Sequence, residues 1–357
     1  MSTLPFTIHL EALPDGRYLI TAQPAVGSDI GIATKNPFTV HELENGFAIL
    51  RSHKRDLTPL EQVKAARQLG QKLFKFLIQD HPAIYSAYLG QVAGQPKMRI
   101  ILSTKDAGTL AHLPWELLRD PERDFLALSD STPLIRTSSH TAGLAPVPLL
   151  FPLRVLVAVS GRDAEEHWRI FSESTAALRQ RGYIQLDRMK HASLSALRLH
   201  MLAEDYHVFH YIGSAWLDDR TNQPMAAMSD EDSPYIPAGR LNQELYPEST
   251  IRLVILTPCQ NACQSMCILA SSLAISASVS MQFPMSQVAT SLFLREFYST
   301  LVQGVSVDTA MSRTRRAIAN QLQRSEWAAP VLFAHATTGV LFQPVRGYRA
   351  NPKTGRV

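Results

Sequence analysis

Short apolar segments alternate with longer amphipathic ones from about residue 153 onward, and this alternation restricts the possible folds most strongly. The apolar segments predict strands at 153–159, 207–212, 251–256, 277–281 and 330–334. The intervening segments predict helices at 165–181, 193–203, 260–273, 287–303 and 308–322. Apolar strands that alternate with helices favour a mostly parallel sheet with helices on its faces. We therefore predict an α/β fold for this part of the chain.

A different pattern precedes this part. Two alternating segments, at 6–10 and 18–22, flank Pro14-Asp15-Gly16 and predict a β-hairpin. A helix is predicted at 59–78, because Thr58 and Glu61 are spaced as a capping box around its first turn. The N-terminal part is therefore predicted to be an α+β region.

A proline-rich stretch at 145–152 indicates a hinge or a crossover connection between the two patterns. We predict an N-terminal α+β region at 1–150, an α/β core at 151–345 and a polar C-terminal tail at 346–357.

Composition indicates a compact globular protein, since 45% of the 357 residues are hydrophobic and only 18% are charged. A net charge of +4, spread along the chain, is too weak to indicate nucleic-acid binding, and no phosphate-binding glycine motif occurs. Arg313, Arg315 and Arg316 form a local basic run, which we interpret as a solvated face of the helix at 308–322.

The chain contains three cysteines, Cys259, Cys263 and Cys267. So few cysteines in one cluster cannot form a disulfide framework, which favours a reducing, cytoplasmic setting. They also lack a fourth ligand with the paired spacing of a structural zinc site, so we expect no metal and no cofactor. Cys263 and Cys267 are interpreted as small buried apolar residues.

Targeting and membrane segments are not expected. The first fourteen residues contain neither a basic leader nor a long apolar segment. Residues 253–294 contain no charged residue, but Pro258 and Pro284 interrupt them, which argues against a membrane-spanning helix.

Cys259 lies three residues after the end of the predicted strand at 251–256, at its carboxyl end. Ligands and reacting groups of open α/β sheets collect at the carboxyl ends of the strands. Cys259 is therefore the candidate nucleophile, and its chemistry depends on a base nearby, because the thiolate is the reactive form.

Several blocks resemble one family in order along the chain. They include Leu-Pro-Trp-Glu-Leu-Leu-Arg-Asp at 113–120, Tyr-His-Val-Phe-His-Tyr-Ile-Gly at 206–213 and Leu-Val-Ile-Leu-Thr-Pro-Cys-Gln at 253–260. Together they closely resemble the CHAT domain, a caspase-like and separase-like family. The resemblance implies a caspase-like fold and, in active members, a cysteine peptidase with a Cys–His dyad.

The cysteine of the family motif falls on Cys259. The dyad histidine belongs to a Gly-His-Gly segment, and the matching residues here are Gly213, Ser214 and Ala215, so the resemblance implies that Ser214 replaces the histidine. Serine cannot accept a thiol proton at neutral pH or protonate a leaving amine. Backbone N–H groups around Gly213 and Ala215 are the expected oxyanion region, where alanine resists the φ values that glycine accepts.

His210 is a weak alternative base. It precedes Ser214 by four residues on one strand, about 13 Å away at ~3.3 Å per residue, which exceeds hydrogen-bond reach. We interpret His210, and His207 still further back, as histidines satisfied within or at the edge of the sheet. Trp115 and Glu116 of the first family block are interpreted as structural, with the glutamate paired or capping.

Two functions follow from these observations. The first is a pseudo-peptidase that binds or regulates a protein partner, in a family that is linked to prokaryotic defence and cell-death signalling. The alternative is an active cysteine endopeptidase that uses Cys259 with a non-standard or partner-supplied base. Both expect a protein partner or substrate, without nucleic acid or membrane, and both leave the substrate and the oligomeric state open.

Overall fold

The computed structural model describes residues 3–39, 42, 58–94, 97–137, 145–161, 163–230, 233–245, 250–259, 262–334 and 339–345. The chain forms two compact units. The first unit comprises Met1–Thr137 with Met311–Val331, and the second comprises Ser138–Ala310 with Leu332–Val357. The predicted tail at 346–357 lies outside the described residues, and a boundary near residue 150 stays a prediction.

The described strands are β1 Leu4–Ala12, β2 Arg17–Gln23, β3 Ile30–Lys35, β4 Met98–Ser103, β5 Arg119–Asp120, β6 Asp124–Phe125, β7 Leu134–Thr137, β8 Val147–Leu149, β9 Leu153–Val159, β10 Ile184–Arg188, β11 Val208–Gly213, β12 Ala215–Leu217, β13 Pro224–Ala226, β14 Ile236–Pro237, β15 Leu253–Pro258, β16 Ala277–Met281, β17 Pro330–Ala334 and β18 Phe342–Pro344. The described α-helices are α1 Pro59–Phe74, α2 Pro82–Gly94, α3 Ala164–Ser174, α4 Ala176–Gln180, α5 Leu194–Ala203, α6 Ala238–Leu245, α7 Cys263–Ser271, α8 Gln287–Leu301 and α9 Val307–Leu322.

The first unit contains the predicted hairpin. Strands β1 and β2 pair antiparallel, and β3 adds to β2 in the same sense. Gly16 in the connecting turn has a φ of 80°, a value that favours glycine. On its other side β1 pairs parallel with β4, which pairs parallel with β7. The predicted N-terminal α+β region with a hairpin is confirmed.

Helix α1 begins at the predicted capping box. The Glu61 N–H donates to Thr58 Oγ1 at 3.3 Å, and the Thr58 N–H donates to Glu61 Oε2 at 2.7 Å. The helix was predicted to extend to residue 78, but its α-helical part ends at Phe74 and Lys75–Gln79 continue as a π-helix. Gly70 allows close packing, because a Cβ there would lie 2.0 Å from the carbonyl oxygen of Leu117.

A buried ionic cluster, formed by Glu116, Arg136 and Arg315, lies in the first unit. Arg136 Nε donates to Glu116 Oε1 at 3.0 Å, and Arg315 Nη2 lies 3.9 Å from the same oxygen. Arg136 also donates to the carbonyl oxygen of Leu113 at 3.0 Å, and Arg315 to that of Pro330 at 2.7 Å. Burial lowers the pKa of Arg315 to about 10. The pairing of Glu116 agrees with its structural interpretation.

The prediction that Arg313, Arg315 and Arg316 form a solvated face is wrong for Arg315, which has no exposed surface. Arg313 and Arg316 are partly exposed and pair with Asp130 at 2.9 and 3.2 Å. Successive residues of an α-helix are rotated by about 100°, so positions 313 and 316 share a face while 315 points elsewhere. The close spacing of the three arginines in the sequence does not reveal that they point in different directions.

The second unit contains a parallel sheet. Strands β10, β9, β11, β15 and β16 are hydrogen-bonded in this order, and each of these pairs is parallel. Most of their side chains are buried, as expected for strands that helices cover on both faces. The predicted α/β fold, with a mostly parallel sheet flanked by helices, is confirmed.

Helices cover both faces of this sheet. On one face, Phe171 of α3 and Tyr298 of α8 contact the ring of His210 on β11. On the other face, Ser278 Oγ of β16 donates to the carbonyl oxygen of Ala270 on α7 at 2.7 Å. The uncharged run at 253–294 therefore supplies strands and helices of a folded unit. Within the described ranges, no helix is both long and apolar enough to cross a membrane.

Candidate active site

The carboxyl ends of three neighbouring parallel strands meet at one edge of the second unit's sheet. We call the segments that follow β9, β11 and β15 at this edge the mouth; they begin with Ser160, Ser214 and Cys259. Gly213 is paired with Pro258, and the Cys259 N–H donates to the Gly213 carbonyl oxygen at 2.6 Å. The predicted site residues Ser214 and Cys259 thus follow the last paired positions of adjacent strands.

The Cys259 side chain is held in its neutral form. Its residue is only 7% exposed, and burial raises the pKa of the thiol to about 11, with a further contribution from the negative charge of Asp163. Asp163 directly precedes α3. With this pKa, about one thiol in a thousand is ionised at pH 8. Both influences act against the thiolate that nucleophilic attack requires.

The backbone at Ser214 is fixed by two hydrogen bonds to its carbonyl oxygen. The Tyr211 hydroxyl donates at 3.1 Å and the Ala227 N–H donates at 2.9 Å. The Tyr211 hydroxyl is also hydrogen-bonded to Ser160 Oγ at 2.9 Å. Burial raises the pKa of Tyr211 to about 12, so the phenol stays a neutral donor. The position of residue 214 is therefore well defined by its neighbours.

Gly213 is required by close approach and not by its backbone angles. A Cβ at this position would lie 2.3 Å from Tyr211 Oη and 2.4 Å from Ser160 Oγ. Such distances are far below van der Waals contact, so any side chain at 213 would displace the two hydroxyls. The missing Cβ lets the Tyr211–Ser160 pair pack directly against the strand end.

Ala215 begins the short strand β12, which pairs antiparallel with β13. Its side chain is buried, and Trp216 contacts Tyr235 in a perpendicular arrangement with ring centroids 3.9 Å apart. The chain thus passes directly from the mouth into a small sheet formed by β12, β13 and β14. The expected oxyanion role of Gly213 and Ala215 stays a prediction.

His210 lies inside the second unit and is fully buried. Its Nδ1 is hydrogen-bonded to the Tyr298 hydroxyl at 3.0 Å, and its Nε2 to Thr257 Oγ1 at 2.9 Å. Phe171 packs edge-on against the imidazole at 4.7 Å between centroids. Burial lowers the pKa of His210 to about 3, so the ring is neutral at physiological pH. Both ring nitrogens are engaged by hydroxyl groups.

His207 precedes β11 and so lies at the opposite end of that strand from the mouth. Its Nδ1 accepts the Arg154 N–H at 3.0 Å. Burial, with a smaller contribution from the charge of Arg154, lowers the pKa of His207 to about 4. This histidine is a neutral acceptor for the backbone of β9.

Cys263 and Cys267 lie on α7, and neither forms a disulfide. Cys263 is buried as predicted, whereas Cys267 is only half-buried. Across the described part of the chain, no group of three or more His, Cys, Asp or Glu residues is arranged to hold a metal ion.

Sequence reasoning missed several residues of this region. Ser160 and Asp163 follow β9 at the mouth, as Cys259 follows β15. Because the strand at 153–159 was predicted, their position after it could have indicated that they lie near Cys259. Tyr298 and Thr257 are 88 and 47 residues from His210 and carried no such local signal.

Comparisons with known proteins identify the family. The CHAT domain profile matches residues 64–335, which is most of the chain. The structure is similar to separase in the Saccharomyces cerevisiae separase–securin complex, with a TM-score of 0.52 and 10% identity, over 93% of this chain and 30% of separase. The chain thus spans less than a third of that protein. Gingipain RgpB of Porphyromonas gingivalis gives a TM-score of 0.45 and 10% identity, over 84% of this chain and 77% of gingipain.

Comparison with curated protein sequences gave no match. The family profile and the structural similarity to separase agree on a caspase-like fold. The chain belongs to the CHAT domain family.

Proposed function

We propose that the protein is a CHAT-family pseudo-peptidase that binds a protein partner at the mouth without cleaving it. The observation that carries the proposal is the burial of the Cys259 thiol, whose residue is only 7% exposed. Burial and the charge of Asp163 raise its pKa to about 11, opposite to the shift that activates catalytic cysteines. The residue that the family resemblance aligns with the dyad histidine is Ser214, which cannot take the thiol proton.

His210 does not supply the missing base in this proposal. Its nitrogens are engaged by Tyr298 and Thr257, and its fully buried ring has a pKa of about 3. A base with so low a pKa has little affinity for a thiol proton at neutral pH. An imidazolium at this position would also be buried beside neutral hydroxyls and the ring of Phe171.

Support for a protein partner comes from the fold and the family. The structurally similar separase was solved in a complex with securin, which shows that a caspase-like protein can be held by a second protein. A role in prokaryotic defence or cell-death signalling is part of the proposal and rests on the family resemblance alone.

The test of lost catalysis is to expose wild type, Cys259→Ala and Ser214→His to a peptidyl electrophile directed at cysteines. We expect slow labelling of wild type and at least about a hundredfold faster Cys259-dependent labelling of Ser214→His, since a positioned general base contributes about that much. The Ser214 backbone is held by Tyr211 and Ala227, so the new imidazole replaces a side chain without freeing the turn. Rapid Cys259-dependent labelling of wild type together with protein cleavage would establish the active endopeptidase instead.

Partner binding is tested by placing a photo-crosslinking amino acid at position 214 and, in a control protein, at Leu60, which is 78% exposed on α1. We expect position 214 to form a crosslink to a defined protein in cells of the source organism, and position 60 not to form it. Identical crosslinking patterns from the two positions would contradict the proposed binding site.

A further inference from the structure

The ends of β11 and β15 at the mouth are held by different means. The Ser214 carbonyl accepts two hydrogen bonds, as described above. The other strand end contains Thr257, Pro258 and Cys259, which we call the cysteine arm. Pro258 has no N–H to donate, so the last residue of β15 contributes no donor to the sheet. The backbone of the arm is anchored by the Cys259 N–H, and Thr257 provides a side-chain anchor.

The side-chain anchor extends into the interior. Thr257 Oγ1 lies 2.9 Å from His210 Nε2, and His210 Nδ1 lies 3.0 Å from the Tyr298 hydroxyl on α8. A neutral imidazole has one donor and one acceptor nitrogen, and each neighbouring hydroxyl can serve in either role. The three side chains therefore form a continuous hydrogen-bonded chain in either histidine tautomer.

The polar character of these three side chains differs from that of their neighbours. On the same face of β11, the neighbouring side chains Val208 and Ile212 are apolar and buried. Burying an imidazole and a phenol costs free energy unless their hydrogen bonds are made. Here the bonds are made, and they lead from a fully buried tyrosine to a half-buried threonine two residues before Cys259. The polar chain ends at the cysteine arm.

We propose that His210 is a positioning residue for Cys259: the Tyr298–His210–Thr257 chain holds the cysteine arm in the position that withdraws the thiol from solvent. The inference rests on the proposed function only in treating the mouth as the functional surface. It concerns the isolated protein and requires no partner. Release of the Thr257 anchor would loosen the cysteine arm and hydrate the sulfur, which favours the thiolate.

The test is the rate at which iodoacetamide alkylates Cys259 at pH 8, followed peptide by peptide by mass spectrometry so that Cys263 and Cys267 serve as internal references. We expect Thr257→Val to raise the Cys259 rate at least tenfold and leave the other two rates unchanged. Thr257→Ser keeps the hydroxyl and should retain the wild-type rate. Tyr298→Phe breaks the far end of the chain and should give a smaller increase.

The matched control is Thr132→Val, which removes a buried threonine hydroxyl bonded to the Leu126 carbonyl oxygen at 2.9 Å in the first unit. It should lower thermal stability without changing the Cys259 rate. Equal Cys259 rates in wild type and Thr257→Val would overturn the inference, and so would equal acceleration by Thr257→Val and Thr257→Ser. Neither result bears on whether a partner binds, so failure here is distinguishable from failure of the proposed function.

Discussion

The buried ionic cluster of the first unit stabilises buried charges, whereas the mouth of the second unit keeps its buried thiol neutral. In the cluster, Glu116 is buried together with two arginines, which also donate to backbone carbonyl oxygens. At the mouth, the cysteine has an anionic neighbour, Asp163, and the buried His210 on the adjacent strand is bonded to neutral hydroxyls. The fold can therefore stabilise buried charge where partners are supplied. The difference shows that the neutral form of the Cys259 thiol is caused by its particular neighbours. It is not a general property of the buried groups in this fold.

The largest effect is expected from Glu116→Gln, which tests whether the buried ionic cluster depends on the charge of its glutamate. The variant keeps the shape of the side chain but leaves two buried guanidinium groups without their anion, which costs about 3–5 kcal/mol in comparable buried pairs. Urea denaturation should show this loss in the free energy of unfolding. Glu173→Gln is the control, since its ion pair with Arg169 is exposed on α3 and should leave the unfolding midpoint unchanged. A small effect of Glu116→Gln would show that the cluster does not depend on its charge.

The neutral character of His210 can be tested by measuring the free energy of unfolding as the pH is lowered. The unfolded histidine ionises near pH 6.5 and the folded one near pH 3, so the unfolded chain binds more protons between these values. Stability present above pH 6.5 should be lost as the pH falls toward 3, by about 1.4 kcal/mol per unit for this group. His210→Gln should reduce the slope of unfolding free energy against pH, measured by urea denaturation from pH 7 to pH 4. The shift of His207 has the same sign and remains in both proteins.

Gly213→Ala tests the packing at the mouth. The new Cβ would overlap the hydroxyls of Tyr211 and Ser160, and overpacking of this kind costs about 1–3 kcal/mol. The control is Gly239→Ala on α6, where a Cβ meets no atom within 4 Å and alanine favours the helix. Thermal unfolding should separate the two variants, with a lower midpoint only for Gly213→Ala. Equal midpoints would mean that the two hydroxyls shift at little cost.

The smallest effect is expected from Asp163→Asn, which sharpens the electrostatic side of the comparison. Removing this negative charge should lower the pKa of Cys259 and raise its alkylation rate at pH 8 by about two- to fivefold, because burial remains the larger cause. High salt should diminish the difference between the two proteins, since Asp163 is exposed. Glu173→Gln, on the helix α3 that Asp163 precedes, again serves as the control. An unchanged alkylation rate would show that the charge of Asp163 does not contribute to the raised pKa of Cys259.

The sequence predicted what depends on local pattern. The strands that precede Cys259 and Ser214 are six-residue, mostly apolar segments, and the Thr58–Glu61 capping box marks a helix start, so these features were predictable. Strands β12, β13 and β14 are two or three residues long, which is too short to show periodicity. The burial of Arg315 depends on Glu116, which is distant in sequence, and the bonds of His210 depend on residues from other elements. Such pairings follow from the three-dimensional arrangement and leave no mark in a single sequence.

The withdrawn thiol has a consequence for chemical durability. Peroxides attack the thiolate, and the first product is a sulfenic acid that leads on to irreversible oxidation states. A cysteine activated for catalysis is consumed quickly under oxidative stress, whereas Cys259, with its pKa near 11, presents very little thiolate to an oxidant. The protein should therefore keep this residue chemically intact under conditions that inactivate related cysteine peptidases.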